Sequence, residues 1–100
     1  MRSVNSPTSQ NRCVLPLGRV LATPGAIEAL VAARDDGGAL LDRHVRGDWG
    51  HVDAHDGAAN DAALVSGERV LSAYTLRTGV TLWIITEADR SCTTLLPSEH

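Results

Sequence analysis

Lysine and phenylalanine are absent from this chain of 100 residues, which holds one tyrosine, one methionine and two cysteines. Each shortage excludes something. Cys13 and Cys92 are too few and too far apart for a disulfide framework or a thiolate zinc site. A reduced, cytoplasmic setting is therefore expected. No apolar run reaches the roughly 18 residues of a membrane-spanning helix. The opening "MRSVNSPTSQNR" lacks the apolar stretch of a secretory signal. Its Ser, Asn, Gln and Pro content reads as a disordered polar tail over residues 1–13, ahead of a single domain over residues 14–100. Without phenylalanine, Leu, Val, Ile and Ala must fill the core, and Trp49 and Trp83 are the largest bodies available to it.

All nine basic residues are arginine, which fits GC-rich coding, and the net charge is -3. An acidic chain is a poor default ligand for phosphate backbones, so nucleic acid is not indicated as a partner by charge. The charges are unevenly spread. Arg2, Arg12 and Arg19 are the only ones in the first twenty residues, whereas residues 35 to 61 hold seven Asp against Arg43 and Arg46.

What is present divides the chain into helices followed by strands. Pro16 and Gly18 confine a first short strand to Arg19–Ala22, at a sheet edge. Thr23 can cap a helix, and Pro24 suits its first position. Ile27, Leu30, Val31 and Arg34 then fall at helical spacing and predict the inward face. "DDGG" breaks that helix. "ALLDRHVRG" predicts a second short helix, with Leu40, Leu41 and Val45 on one side and His44 in a last turn that favours the protonated imidazole. "DWGHVDAHDG" reads as a loop. Asp56 is expected to cap a third helix that Gly67 ends. From residue 69 the period becomes two. "RVLSAYTL", "VTLWIIT" and "SCTTLL" predict a three-stranded antiparallel meander, closed first by "RTG" and then by "TEADRS". The expected class is α+β in two layers: two or three short helices, then the meander, with an extra N-terminal edge strand.

Three constellations could carry chemistry. His51 and His55 stand four apart near Asp48, Asp53 and Asp56. Gly50 and Gly57 argue for a loop, so no metal and no cofactor is expected. Trp49, between two glycines, either plugs the core edge or is presented to a partner together with Asp48, Asp53 and Arg46. Finally, His44, Glu87, Arg90, Tyr74 and Thr93 form a candidate catalytic set. There His44 and Glu87 would move protons, Arg90 would hold an anion, and Tyr74 and Thr93 would make a polar stripe on an exposed sheet face.

The blocks "LGRVLATPGAIEAL", "LLDRHVRGDWG", "NDAAL" and "LSAYTLRTGVTLWIITEADRSCTTLLPSEH" resemble a family of small proteins carried on bacterial plasmids and integrative elements, termed plasmid-related proteins. The likeness covers about residues 17 to 100 and is most specific in "HVRGDWG" and "WIITEADRS". It departs from the family pattern at "HVDAHD". The resemblance implies a bacterial, mobile-element setting and supplies no catalytic residues.

The leading functional expectation is a non-catalytic interaction module that binds a host or element protein in a defence or plasmid-maintenance context. The alternative is a small metal-independent ribonuclease, by loose fold analogy with RelE-like and barnase-like enzymes and no motif match. A DNA-binding regulator ranks third, because helices at 24–34 and 38–46 would offer DNA only Arg43, His44 and Arg46. A homodimer through the sheet is a further expectation, since both faces of the meander are apolar.

Overall fold

Thr23 and Pro24 begin the first helix as their chemistry requires. The Thr23 hydroxyl accepts the Ala26 N–H at 3.1 Å, and α1 runs over Pro24–Ala33. It stops at Arg34, which adopts the left-handed conformation at φ 56° and returns its N–H to Leu30 and Val31 carbonyls. The inward face differs from the one the spacing predicted. Ala26 and Ala33 are buried, and Ala29 and Leu30 pack beside them, while Ile27 is 52% and Val31 71% exposed. Small side chains let the helix lie close to the sheet, so the alanine stripe faces in and the larger β-branched residues face out.

This computed structural model describes residues 15–98, so the sequence-predicted tail at 1–13 lies outside the described residues. Asp36 caps α2 (Gly37–Val45) by accepting the Gly38 N–H at 2.9 Å. The cap of α3 (Ala54–Ser66) is Asp53 rather than Asp56, because the Asp53 carboxylate takes the Asp56 N–H at 2.8 Å. His55 therefore lies in a first helical turn and not in a loop. Gly67, at φ 81°, ends α3 as expected.

The strands are β1 (Arg19–Ala22), β2 (Val70–Thr75), β3 (Thr81–Thr86) and β4 (Cys92–Pro97). The last three form the predicted antiparallel meander, and β1 joins parallel to β4, giving the order β1-β4-β3-β2. Alternation then sorts the residues. Val70, Ser72 and Tyr74, Leu82, Ile84 and Thr86, and Thr93 and Leu95 are buried on one face. The principal core forms there, from α1, α2, Tyr74, Leu76, Leu82, Ile84 and Leu95. A second cluster joins Leu15, Trp49, Ala63 and Val70 at the α3 end. Leu71, Trp83, Ile85, Thr94 and Leu96 lie on the opposite face and are half-buried. No helix of the described residues is long and apolar enough to cross a membrane.

One glycine sets the seam between the helical layer and β2. Gly50 has φ +75° and forms an isolated bridge with Ala73. A Cβ at this position would run into the Ala73 carbonyl and the Tyr74 ring. Gly50→Ala is expected to lower unfolding stability by about 2–4 kcal/mol, through a strained backbone and a forced local shift. Urea denaturation checks this; a loss under about 0.5 kcal/mol, the range of a neutral surface substitution, would contradict it.

Candidate functional site: a buried histidine and two unlike sheet edges

His44 projects from the last turn of α2 into the sheet and is fully buried, at 0% exposure. Its Nδ1 lies 2.6 Å from Ser72 Oγ on β2, and its Nε2 lies 2.9 Å from Thr86 Oγ1 on β3. Thr86 Oγ1 is 2.7 Å from Thr93 Oγ1 on β4. Thr93 donates in turn to the Leu17 carbonyl at 2.8 Å. One polar chain thus crosses three strands beneath α2. The Trp49 ring closes it on one side, edge-on to the imidazole at 5.8 Å between centroids.

The carbonyl at the end fixes the direction of every proton. Leu17 O can only accept, so Thr93 donates to it. Thr93 must then accept from Thr86, and Thr86 from His44. His44 is therefore the Nε2–H tautomer, and its bare Nδ1 accepts from Ser72. Every N–H and O–H along this path donates once, with no proton to spare. Burial depresses the imidazole to a pKa of about 4, so near neutrality the ring carries no charge.

A serine hydroxyl against a histidine nitrogen invites comparison with a nucleophile–base pair. Here Ser72, His44, Thr86 and Thr93 all have 0% exposure. The ring's second nitrogen meets a hydroxyl rather than a carboxylate, so no group stands ready to stabilise an imidazolium. The arrangement knits strands together and offers nothing to a substrate.

Tyr74 and Thr93 do share a face, but it is the helix-covered one, where both are buried, and not an exposed stripe. The Tyr74 hydroxyl donates to the Asp48 carbonyl at 2.6 Å, and burial pushes its pKa up to about 12. Arg90 gives its guanidinium N–H groups to the carbonyls of Ala63, Glu68 and Glu87 at 2.8–3.2 Å. It thus serves the C-terminal end of α3, where cations are favourable. Glu87 sits at the turn, its N–H bonded to the Cys92 carbonyl, while both ring nitrogens of His44 are taken elsewhere. Arg46 pairs with Asp42 at 3.1 Å across one helical turn. Asp48 accepts from Arg43 at 2.7 and 3.2 Å, and this bonding holds its carboxyl below the usual range. The Arg43 guanidinium lies 4.6 Å over the Tyr74 ring. Trp49 is a core plug: 7% exposed, its indole N–H donates to Asp61 at 3.0 Å. His51 Nδ1 lies 3.1 Å from Thr75 Oγ1. Among the described residues no three His, Cys, Asp or Glu side chains converge as a metal site would require.

The two edges of the sheet are treated differently. Along β2, the outward groups of Leu71 and Ala73 find partners. Asn60 on α3 accepts the Leu71 N–H at 3.2 Å and donates to the Leu71 carbonyl at 2.7 Å. The Ala73 N–H goes to the Trp49 carbonyl, and the Ala73 carbonyl accepts from His51. A shallow pocket beside Asn60 is lined by Asp56, Ala59, Arg69 and Leu71, but the amide of Asn60 is already spent on both sides. Along β1 the reverse holds. Arg19 and Thr23 donate inward, to the Ser91 and Leu95 carbonyls at 3.0 Å. In a parallel ladder, alternate residues point the other way, so the N–H and C=O groups of Val20 and Ala22 face outward. All four β1 residues are exposed.

Sequence reading missed the links of Ser72 and Thr86 to His44, and it missed Asn60. A signal existed for the first two. Ser72 alternates with Val70 and Tyr74, and Thr86 with Leu82 and Ile84, so each was a hydroxyl placed on an otherwise apolar face. A polar residue on a buried face needs a partner, and His44 was the candidate acceptor. Asn60 gave no such signal, because an amide inside an alanine-rich helix is equally suited to solvent.

Two outcomes follow from these contacts. A histidine whose folded pKa lies below its unfolded value stabilises the fold fully above about pH 6.5. That contribution drains away as pH falls from about 6.5 to about 4, because only the unfolded state takes up the proton. The total is about 3 kcal/mol, and His44→Gln should flatten this part of the profile. Urea midpoints measured between pH 7.5 and pH 4.5 check it, and equal slopes in both proteins would contradict it. Arg90→Met should cost about 1–3 kcal/mol by removing the donor shared by the carbonyls of Ala63 in α3, Glu68 beyond it and Glu87 at the turn, read as a lower melting temperature.

No family model, no curated protein and no solved structure matches this chain, so its function is read from its own residues.

Proposed function

We propose that the chain is a non-catalytic protein-interaction module that accepts an extended segment of a partner protein along the open edge of β1. The contrast between the two sheet edges carries this reading. An exposed edge is an aggregation hazard that folded proteins ordinarily blunt. This chain commits Asn60 and the 49–51 loop to closing one edge and leaves the other with a row of outward backbone groups. Strand addition uses such a row for affinity and the flanking side chains for selectivity. Val20 would flank the incoming strand on the helix side and Leu21 on the opposite side; they are 47% and 41% exposed.

The burial of His44, Tyr74 and Thr93 supports a binding role over a catalytic one, since a reacting group must reach its substrate. The resemblance to plasmid-borne proteins supports a host or element protein as the partner, on bacterial mobile DNA. Asp48, Trp49 and Asp53 are not the contact surface under this reading: they hold Arg43, the core edge and the α3 cap respectively.

Val20→Pro tests the proposal cleanly. Val20 does not donate to β4, so proline removes an outward N–H while the ladder of the fold survives. A protein retained from bacterial lysate by the immobilised wild type should be lost from Val20→Pro, with both showing the same melting temperature. Equal retention by the two, or no retained protein, would overturn the reading.

A further inference from the structure

We infer that a second copy of this chain occupies the β1 edge, paired antiparallel about a two-fold axis through Leu21. This rests on the open-edge reading of β1 and names its occupant. Three features of the edge point to self-pairing.

First, the edge is built and accessible along its length. The Thr93 hydroxyl ties down the Leu17 carbonyl, and Gly18 at φ +64° presses against the Arg90 and Ser91 carbonyls where no Cβ would fit. The chain preceding β1 comes from Leu15, buried in the α3-side cluster. The chain following it turns at Thr23 into α1. Among the described residues, neither end lies across the edge.

Second, the ends of the strand select one symmetric register. Only Val20 and Ala22 present outward groups. Pairing Val20 with its own copy would set Ala22 opposite Gly18, where the backbone has left the strand. Pairing Ala22 with its own copy would set Val20 opposite Pro24, which has no N–H. Setting Leu21 opposite Leu21 pairs Val20 with Ala22 twice, and all four outward N–H and C=O pairs are satisfied. A two-fold contact of this kind uses the same patch on both copies and closes on itself, so no filament grows from it.

Third, the side chains agree with that register. Arg19 falls opposite Thr23 and not opposite itself, so the two Arg19 positions are about 13 Å apart along the pair, beyond a screening length of about 8 Å. Leu21 shares a sheet face and a row with Thr94, Ile85 and Leu71. The Leu21 pair therefore joins two such rows into one across an eight-stranded sheet.

The full chain carrying Cys13→Ser and Cys92→Ser provides the test, with a single cysteine placed by Leu21→Cys, Val20→Cys or Ala22→Cys. The central pair is the non-hydrogen-bonded one, where side chains approach most closely. Under oxidised glutathione, Leu21→Cys should give a covalent dimer at least tenfold faster than the other two. Sedimentation of the unmodified chain should show a concentration-dependent rise toward twice the monomer mass, and Val20→Pro should remain monomeric, with the melting temperature that the wild type shows when dilute enough to be monomeric. A wild type that stays monomeric, a Val20→Pro variant that dimerises as wild type does, or equal cross-linking at all three positions would overturn the inference. A monomeric wild type that still loses a lysate partner on Val20→Pro would remove self-pairing alone and leave the open-edge reading standing. Dimerisation abolished by Val20→Pro, with no lysate protein retained, would uphold the open edge and self-pairing and remove the separate partner protein.

Discussion

The hydrogen-bonded chain from Ser72 through His44, Thr86 and Thr93 to the Leu17 carbonyl is the constraint on which the remainder of the structure depends. It joins α2 to β2, β3 and β4 and then fixes the segment that leads into β1. A small domain with no phenylalanine has little apolar volume with which to define a unique packing. A buried polar chain supplies definition of another kind, because each hydroxyl and each ring nitrogen must meet its partners in one arrangement and leaving any unpaired is costly. The apolar clusters on either side then have fixed walls to pack against. Trp49 fills the gap between the imidazole and α3, and Tyr74 fills the gap beneath Arg43.

The same logic governs the sheet edges. Each extended backbone carries one donor and one acceptor per residue, and these must be accounted for. On the β2 side Leu71 is served by Asn60, whose amide matches one residue's N–H and C=O together, and Ala73 by the glycine-flanked loop at Trp49. Gly50 is required there because the loop must approach Ala73 more closely than any side chain permits. On the β1 side nothing in the described fold plays these roles, and the strand is short. Brevity limits the hazard of an open edge but does not remove the unpaired groups.

Much of this architecture was legible in the sequence, and for identifiable reasons. Proline and glycine act locally, so Pro16, Gly18, Thr23, Pro24 and Gly67 marked strand and helix ends correctly. The period-two pattern after residue 69 gave the meander, because alternation reports directly on a sheet with one covered face. What failed depended on tertiary geometry. The inward face of α1 was assigned to Ile27, Leu30, Val31 and Arg34, whereas close approach to the sheet selected Ala26, Ala29 and Ala33 beside Leu30. Asp53 and Asp56 are both good caps, and the choice between them turned on where the chain emerged from the Gly50 bridge. His44 was read as a helix-end cation. Burial beneath Trp49 made it a neutral ring instead, because desolvation of a charge outweighs a helix dipole worth about 0.3–1 kcal/mol.

That reversal also reshapes the search for a site. The sequence offered His, Glu, Arg, Tyr and Thr in one neighbourhood, a set that suits proton transfer and anion binding. The fold separates them by how each is already used. His44, Tyr74 and Thr93 are inside and fully bonded, and Arg90 is committed to backbone carbonyls. Chemistry needs a group with capacity left over and access to solvent. In the described fold one unused hydrogen-bonding capacity belongs to no side chain; it is the outward backbone of Val20 and Ala22. A search confined to reactive side chains would pass over it, because the valine and alanine that carry it look inert in the sequence. The polar chain ends at Leu17, two residues before β1 begins. The interaction that organises the interior is thus also the one that holds the open edge in the extended form a partner strand would need.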